Sequence, residues 1–437
     1  MTFRCLTALL CTTTLATAAE LPKADAVFPK VDMNAVKVGQ LLFYDPILSG
    51  NREVACATCH HPDHGTSDGV SLGLGDGGKG LGPARRIDAA NAPEQRIPRN
   101  SPALFNLGAT EFTVMFHDGR LEADPQEPNG IRTPLGEDMT QGFDSILSAQ
   151  TMFPVLSGDE MAGHYSENDI SRAVRQGLLA QPGGAWDIIT ARVAGIPEYR
   201  AMFDPVIGTD EAIKFTDIAN ALGAFIAFEW RADNSPFDQF LRYGQTLPDE
   251  AMDGMELFYG KARCADCHSG LFQTDHQFHA IAMPQIGPGK AARFETHHRD
   301  TGRMRVTGDP ADAYAFRTPS LRNVAATAPY GHAGSYATLE ATIRHHLNPV
   351  QSLKAYSILN AALPEFPDSP DLALMQDETE VAAIASANVL PPFTLSDAEI
   401  AALEAFLITL TDPLSEAGRL GIPESVPSGL PVPRAVQ

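Results

Sequence analysis

The sequence predicts a mainly α-helical protein made of two similar units with long irregular loops. Three observations lead there. The pentapeptide Cys-x-x-Cys-His occurs twice, as Cys56-Ala57-Thr58-Cys59-His60 and as Cys264-Ala265-Asp266-Cys267-His268. Apolar residues recur at helical spacing in the segments between and beyond the two copies. After each copy comes a long stretch rich in Gly, Asp and Pro without apolar period, from His61 to Arg99 and from Met283 to Pro310.

The pentapeptide is the attachment signature of c-type haem: two thiols add to the vinyl groups and the histidine places its imidazole on the iron. With 6 Cys and 13 His in 437 residues, one such string arises by chance in about two or three chains per thousand of this composition. Two copies therefore set the chemistry of the chain. A thioredoxin-like Cys-x-x-Cys needs a βαβ setting that neither copy has, and a four-cysteine zinc site would leave both following histidines without a role. Two covalent haems are expected, one on Cys56, Cys59 and His60 and one on Cys264, Cys267 and His268. The fold is then two cytochrome c-like haem domains, 20–232 and 233–412, whose long loops cover the haems.

The remaining elements follow in order. Arg4, the apolar run Leu6 to Cys11 and the small residues Ala16 to Ala19 read as a secretory signal over residues 1–19, too short to span a membrane. Its removal takes Cys5 and Cys11 away and leaves only the four motif cysteines. Because c-type haem is attached outside the cytoplasm, the periplasm is the expected location. Ile218, Leu222, Phe225 and Ile226 predict a helix over Phe215 to Trp230 with Thr216 as N-cap, and the polar break at Asp233-Asn234-Ser235-Pro236 is the expected join between domains. A helix is predicted over Ser335 to Leu347 with Thr338 near its start. Ser396-x-x-Glu399 is a capping box before Ile400, Leu403, Phe406, Leu407 and Leu410. The proline-rich tail, 413–437, is expected on the surface.

A formal charge of −22 argues against nucleic acid and anionic membranes as partners and suits a basic electron-donor protein.

An iron with two protein ligands transfers electrons, whereas an open one binds substrate, so the second ligands decide the function. At 100° per residue His346 shares a face with Leu339 and Ile343, while His345 points about 100° away. An inward histidine at this spacing is either a core residue or a ligand. Near the first motif only His61 and His64 are available, both poorly placed to reach the opposite face of the haem, so an open first iron is the simpler reading.

The chain resembles the bacterial dihaem cytochrome c peroxidases, a family that includes the MauG-type enzymes. The resemblance rests on ordered motifs: Arg99-Asn100-Ser101-Pro102-Ala103-Leu104-Phe105-Asn106, Phe116-His117-Asp118-Gly119-Arg120, Ala149-Gln150 with Glu160-Met161, Ser235-Pro236-Phe237-Asp238, and Phe316-Arg317-Thr318-Pro319-Ser320-Leu321-Arg322-Asn323 running to Ala328-Pro329-Tyr330-Gly331-His332-Ala333-Gly334. It implies a peroxidatic first haem with Glu160 and Gln150 over its open face, Glu160 moving protons and Gln150 orienting peroxide. It implies an electron-transfer second haem ligated by His268 and His346. It also implies a calcium ion held by Asn100, Thr327 and Pro329, and electrons from a small donor such as a cytochrome c or a cupredoxin. A homodimer would be ordinary for the family.

Three departures bear on the activity. The axial position fourteen residues after His332 is Met or Tyr in the family and is His346 here. The tryptophan between the haems is replaced by His117. The activating loop histidine, sixteen residues after His60, is replaced by Asp76. About twenty residues are also inserted between Arg120 and Gln150. The leading expectation is a periplasmic peroxidase reducing hydrogen peroxide to water. The alternatives are a MauG-type oxidase of a partner protein and a non-enzymatic electron carrier.

Overall fold

In the computed structural model the described residues are 19–290, 295 and 297–434. The proposed signal, apart from Ala19, lies outside them. Helices dominate, and the strands form three small antiparallel sheets of two- or three-residue segments: Gly78–Lys79 with Arg86–Ile87; Val114–Met115, Leu121–Ala123 and Ile131–Arg132; and Phe278–His279 with Phe316–Arg317. The stretch between Arg120 and Gln150 holds the last two strands of the second sheet, so the insertion extends a hairpin beside the site.

Two helix crossings, built alike, organise the core. The Met33–Tyr44 helix packs on the Phe215–Glu229 helix, and the contact is closest at Gly39, where a Cβ would sit 1.9 Å from the carbonyl oxygen of Ala221. The Asp249–Tyr259 helix packs on the Asp397–Ile408 helix with Gly254 equally close to Ala402. One turn beyond each glycine an aromatic pair locks the crossing: Phe43 with Phe225 at 5.3 Å and Phe258 with Phe406 at 5.2 Å. Only glycine permits such backbone approach. Aromatic pairs of this kind add about 0.5–1.5 kcal/mol each beyond their buried area.

Around these crossings form two main apolar clusters. The larger runs from Val36 to Ala232, the second from Phe237 to Leu410. Phe272 belongs to the first cluster although it follows the second haem motif; it meets Phe28 and Phe112 edge-on. Between the clusters, Asp412 Oδ2 accepts the N–H groups of Asp233 and Asn234, and Ser235 caps the Pro236–Tyr243 helix. The tail crosses back over the first cluster. Leu420 and Gly421 donate to the buried Glu229 carboxylate, Ser428 donates to Asp45, and Val426 is buried.

Local capping signals were legible with one exception. Ser396 and Glu399 form the expected box, and Thr338 caps the Leu339–Leu347 helix by accepting from Ala341 N. The Phe215–Glu229 helix starts two residues earlier than Thr216 as N-cap would have it. Lys214 is its N-cap, because Asp217 Oδ2 accepts the Lys214 N–H at 2.7 Å. None of the helices among the described residues is long and apolar enough to cross a membrane.

Candidate functional site

The two motifs stand on short helical turns, Cys56–Cys59 and Cys264–Asp266, each placed by the crossing of its own unit. All four cysteines are free. Burial pushes the thiols of Cys56, Cys59 and Cys264 up to about 12.

The histidines carry a common signature. His60 Nδ1 lies 3.0 Å from Thr66 O, His268 Nδ1 3.0 Å from Gln273 O, and His346 Nδ1 2.8 Å from Thr342 O. A carbonyl only accepts, so in each ring Nδ1 carries the hydrogen and Nε2 keeps its lone pair for a metal. Burial first of all lowers the pKa of all three imidazoles and keeps them neutral.

The rings of His268 and His346 are 6.5 Å apart, centre to centre. Two imidazoles on opposite sides of one metal ion, with bonds of about 2 Å, need about 6.3 Å. The pair therefore has the spacing to share an iron. No second imidazole ring pairs with His60 in this way among the described residues. His345 serves elsewhere: fully buried, it accepts from Tyr336 OH and donates to Ile281 O. His61 accepts from Asp63 N and packs against His64.

Glu160 lies in a single π-helical turn, Gly158–Ala162, where the N–H groups of Glu160, Met161 and Ala162 converge on Ser157 O. Such turns are rare and frequent at functional sites. Half-buried, Glu160 is close enough to influence the charge states of Cys59, Arg120 and Lys290. Its backbone carbonyl accepts the Asp76 N–H. Gln150 ends the Ile146–Gln150 helix, with a buried Oε1 that has no hydrogen-bond partner.

Two cations in this region were not singled out by sequence reasoning. Arg120 stacks its guanidinium 3.6 Å over the Phe116 ring, which meets Phe153 edge-on. Burial, then the charge of Arg120, lowers the pKa of Lys290, against the pull of Glu160. Arg120 stood in a motif and was findable; Lys290 sits in an aperiodic Gly-Pro-Gly stretch that gives no signal.

Asn100 is central to the seam between the clusters. Its side-chain amide donates to Val70 O and Ser71 O, its N–H to His332 O, and its carbonyl accepts from His117 Nε2 at 3.1 Å. The side-chain oxygen of Asn100 is thereby left for another partner. Thr327 turns its N–H and hydroxyl to Val324 O, leaving its own carbonyl and that of Pro329 on either side of the cis Ala328–Pro329 bond. His117, buried beside Arg99, has its pKa pulled down to about 4 and so stays neutral. His332 lies flat on Phe316 at 3.7 Å.

A helical chain with two Cys-x-x-Cys-His turns, each beside a neutral histidine whose Nε2 is free, is built as a two-haem c-type protein. The comparisons agree. Residues 33–246 match the family described as di-haem cytochrome c peroxidase. The methylamine utilization protein MauG of Methylorubrum extorquens is 29% identical over 75% of this chain and 71% of its own length. The cytochrome-c peroxidase IdrP2 of Denitromonas iodatirespirans is 29% identical over 74% of this chain and 75% of its own. Among solved structures, a MauG-like protein associated with microbial copper homeostasis superposes with a TM-score of 0.58 at 25% identity, covering 92% of this chain and 96% of that one. Over residues 33–246 the chain matches the di-haem cytochrome c peroxidase family, and the relatives named here extend the likeness over about three quarters of its length.

Proposed function

We propose that this protein is a periplasmic peroxidase that reduces hydrogen peroxide to water with electrons from a small redox protein, and that its two haem sites divide the work. Cys56, Cys59 and His60 hold the first haem, in a domain spanning 20–232. Cys264, Cys267, His268 and His346 hold the second, in a domain spanning 233–412. The bound irons supply peroxide binding and electron transfer.

The observation that carries the reading is the asymmetry between the two histidines. The rings of His268 and His346 lie 6.5 Å apart, a spacing that supports both as ligands of the second iron, which would then be closed to peroxide. Near the first motif, instead, the charge of a carboxylate, Glu160, reaches Cys59, and Gln150 keeps a buried side-chain oxygen without a hydrogen-bond partner. Glu160 accepts the proton from one peroxide oxygen and returns it to the other, so that water departs instead of hydroxide. Gln150 orients the peroxide with its amide. Arg120 and Lys290 hold a positive field around Glu160.

A calcium ion taking the Asn100 side-chain oxygen and the carbonyls of Thr327 and Pro329 would be coordinated by hard oxygen ligands and would fix the two domains in register. The acidic surface suits a basic cytochrome c or cupredoxin as donor.

Steady-state peroxide turnover by Glu160→Gln tests the reading. We expect a loss of about two orders of magnitude or more with both haems still bound; near-wild-type turnover overturns the role of Glu160.

A further inference from the structure

A cluster on the far side of the Glu160 turn takes no part in the proposed chemistry. Asp76, His164 and Glu167 each place one ligand atom, a carboxylate oxygen or a ring nitrogen, within 4.8 Å of the others. Asp76 is fully buried, yet its Oδ1 has no hydrogen-bond partner, and neither has the enclosed Nε2 of His164. Nε2 faces the Asp76 loop, since a Cβ on Gly77 would lie 3.1 Å from it.

The rest of the cluster holds these groups in place. Asn51 Nδ2 donates to Asp76 Oδ2 at 2.7 Å and to Glu167 Oε1 at 2.6 Å. The same Oε1 accepts the backbone N–H of His164 at 2.5 Å. Asn51 Oδ1 in turn accepts from Asn168, the N-cap of the Asp169–Arg175 helix. Two carboxylates are thus kept side by side, against their repulsion, next to an imidazole nitrogen that nothing satisfies. A buried acceptor without a partner is destabilising, and a buried carboxylate more so. A divalent cation would relieve all three groups at once.

We propose that Asp76, His164 and Glu167 form a binding site for a divalent transition-metal ion of the zinc class. One imidazole and two carboxylates, with water as a fourth ligand, suit such an ion, whereas calcium and magnesium prefer oxygen throughout. The two carboxylates balance the charge of the ion. Asn51 is the outer partner that orients both of them.

The position gives the site a consequence. Asp76 N–H donates to Glu160 O at 3.0 Å, and a Cβ on the preceding Gly75 would collide with Asp159 O and Glu160 Cα. An ion shared by Asp76 on one loop and His164 and Glu167 on the other clamps the turn that carries Glu160 from behind. Asp76, His164 and Glu167 are in this respect positioning residues, reaching Glu160 only through the backbone.

The test is calorimetric titration of the chelator-treated protein, both haems attached, with zinc chloride. We expect one tight equivalent in the wild type, weakened roughly tenfold or more in His164→Ala and in Glu167→Gln, with millimolar calcium or magnesium failing to displace it. Glu167 is exposed, so its substitution keeps the experiment readable if the His164 variant folds poorly. Hydrogen exchange should slow across residues 157–168 of the wild type on adding zinc and remain unchanged in Glu167→Gln. Absence of tight zinc binding, equal binding by wild type and Glu167→Gln, displacement by calcium, or exchange that zinc leaves unaltered would overturn the proposal.

Discussion

Asp300 is held by Arg99 through two parallel hydrogen bonds, 2.7 Å from Nε and 2.8 Å from Nη2, although the two residues are 201 positions apart. The same guanidinium reaches Asp118 at 2.7 Å, and all three side chains are buried. Burial alone would raise the Asp300 carboxyl, but the charge and hydrogen bonds of Arg99 outweigh it and hold the group well below the usual carboxylate range. The pair ties the loop after the first motif to the loop before the Phe316–Arg317 strand.

Removing one partner of such a pair strands the other. Asp300→Asn should destabilise the protein by about 3–5 kcal/mol at pH 7. The folded-state pKa is depressed, so the stabilisation is present above the unfolded value near pH 4 and is lost as the pH falls below it. Denaturant melts at several pH values should therefore show the gap between wild type and Asp300→Asn closing in acid. A gap independent of pH would remove the ion pair as its cause.

Asp68 carries the opposite sign. Burial, opposed by the Val70 N–H and Arg85, pushes its carboxyl up to about 7. The native state then binds more protons than the unfolded chain between about pH 4 and pH 7, and stability declines as the pH rises through that window. Asp68→Asn should flatten this decline, with a gain of about 2–4 kcal/mol over wild type at pH 8 relative to pH 4. Parallel pH profiles of the two proteins would contradict it.

The His268 and His346 pair predicts a spectrum. His346→Gly should convert a low-spin haem to high-spin without loss of covalent haem. In the unaltered oxidised protein one haem should already be high-spin and bind cyanide. An unchanged spectrum in the variant would dismiss His346 as a ligand, and two low-spin haems in the parent would mean that the first site is closed.

The two glycine crossings offer a test of modularity. A methyl group on Gly39 would meet the Ala221 carbonyl and one on Gly254 the Ala402 carbonyl, so each alanine substitution should destabilise its own unit by about 1–3 kcal/mol or more. Gly39→Ala should perturb the first haem more than the second and Gly254→Ala the reverse, read from the separate spectral bands on heating. Equal disturbance of both haems would show that the halves unfold as one.

How much of this could be read beforehand varied with the range of the interaction. The capping box at Ser396 and the cap at Thr338 are local and were legible. The Lys214 cap was not, because its partner is the side chain of Asp217 and not its own. One longer signal went unread: Gly39-Gln40-Leu41-Leu42-Phe43-Tyr44 and Gly254-Met255-Glu256-Leu257-Phe258-Tyr259 share Gly, Leu, Phe and Tyr at the same spacing. This is the repeat beneath both crossings.

By itself the sequence determined the two-haem chemistry and the helical class, because each is encoded by residues a few positions apart. Only the tertiary structure decided which distant groups meet. It brought His346 to 6.5 Å from His268, set Lys290 and Arg120 near Glu160, gave His117 a backbone partner, and gathered Asp76, His164 and Glu167 behind the Glu160 turn. The reason is physical. Ligand spacing and charge pairing depend on how loops close against one another, and closure across a hundred residues leaves no period in the chain.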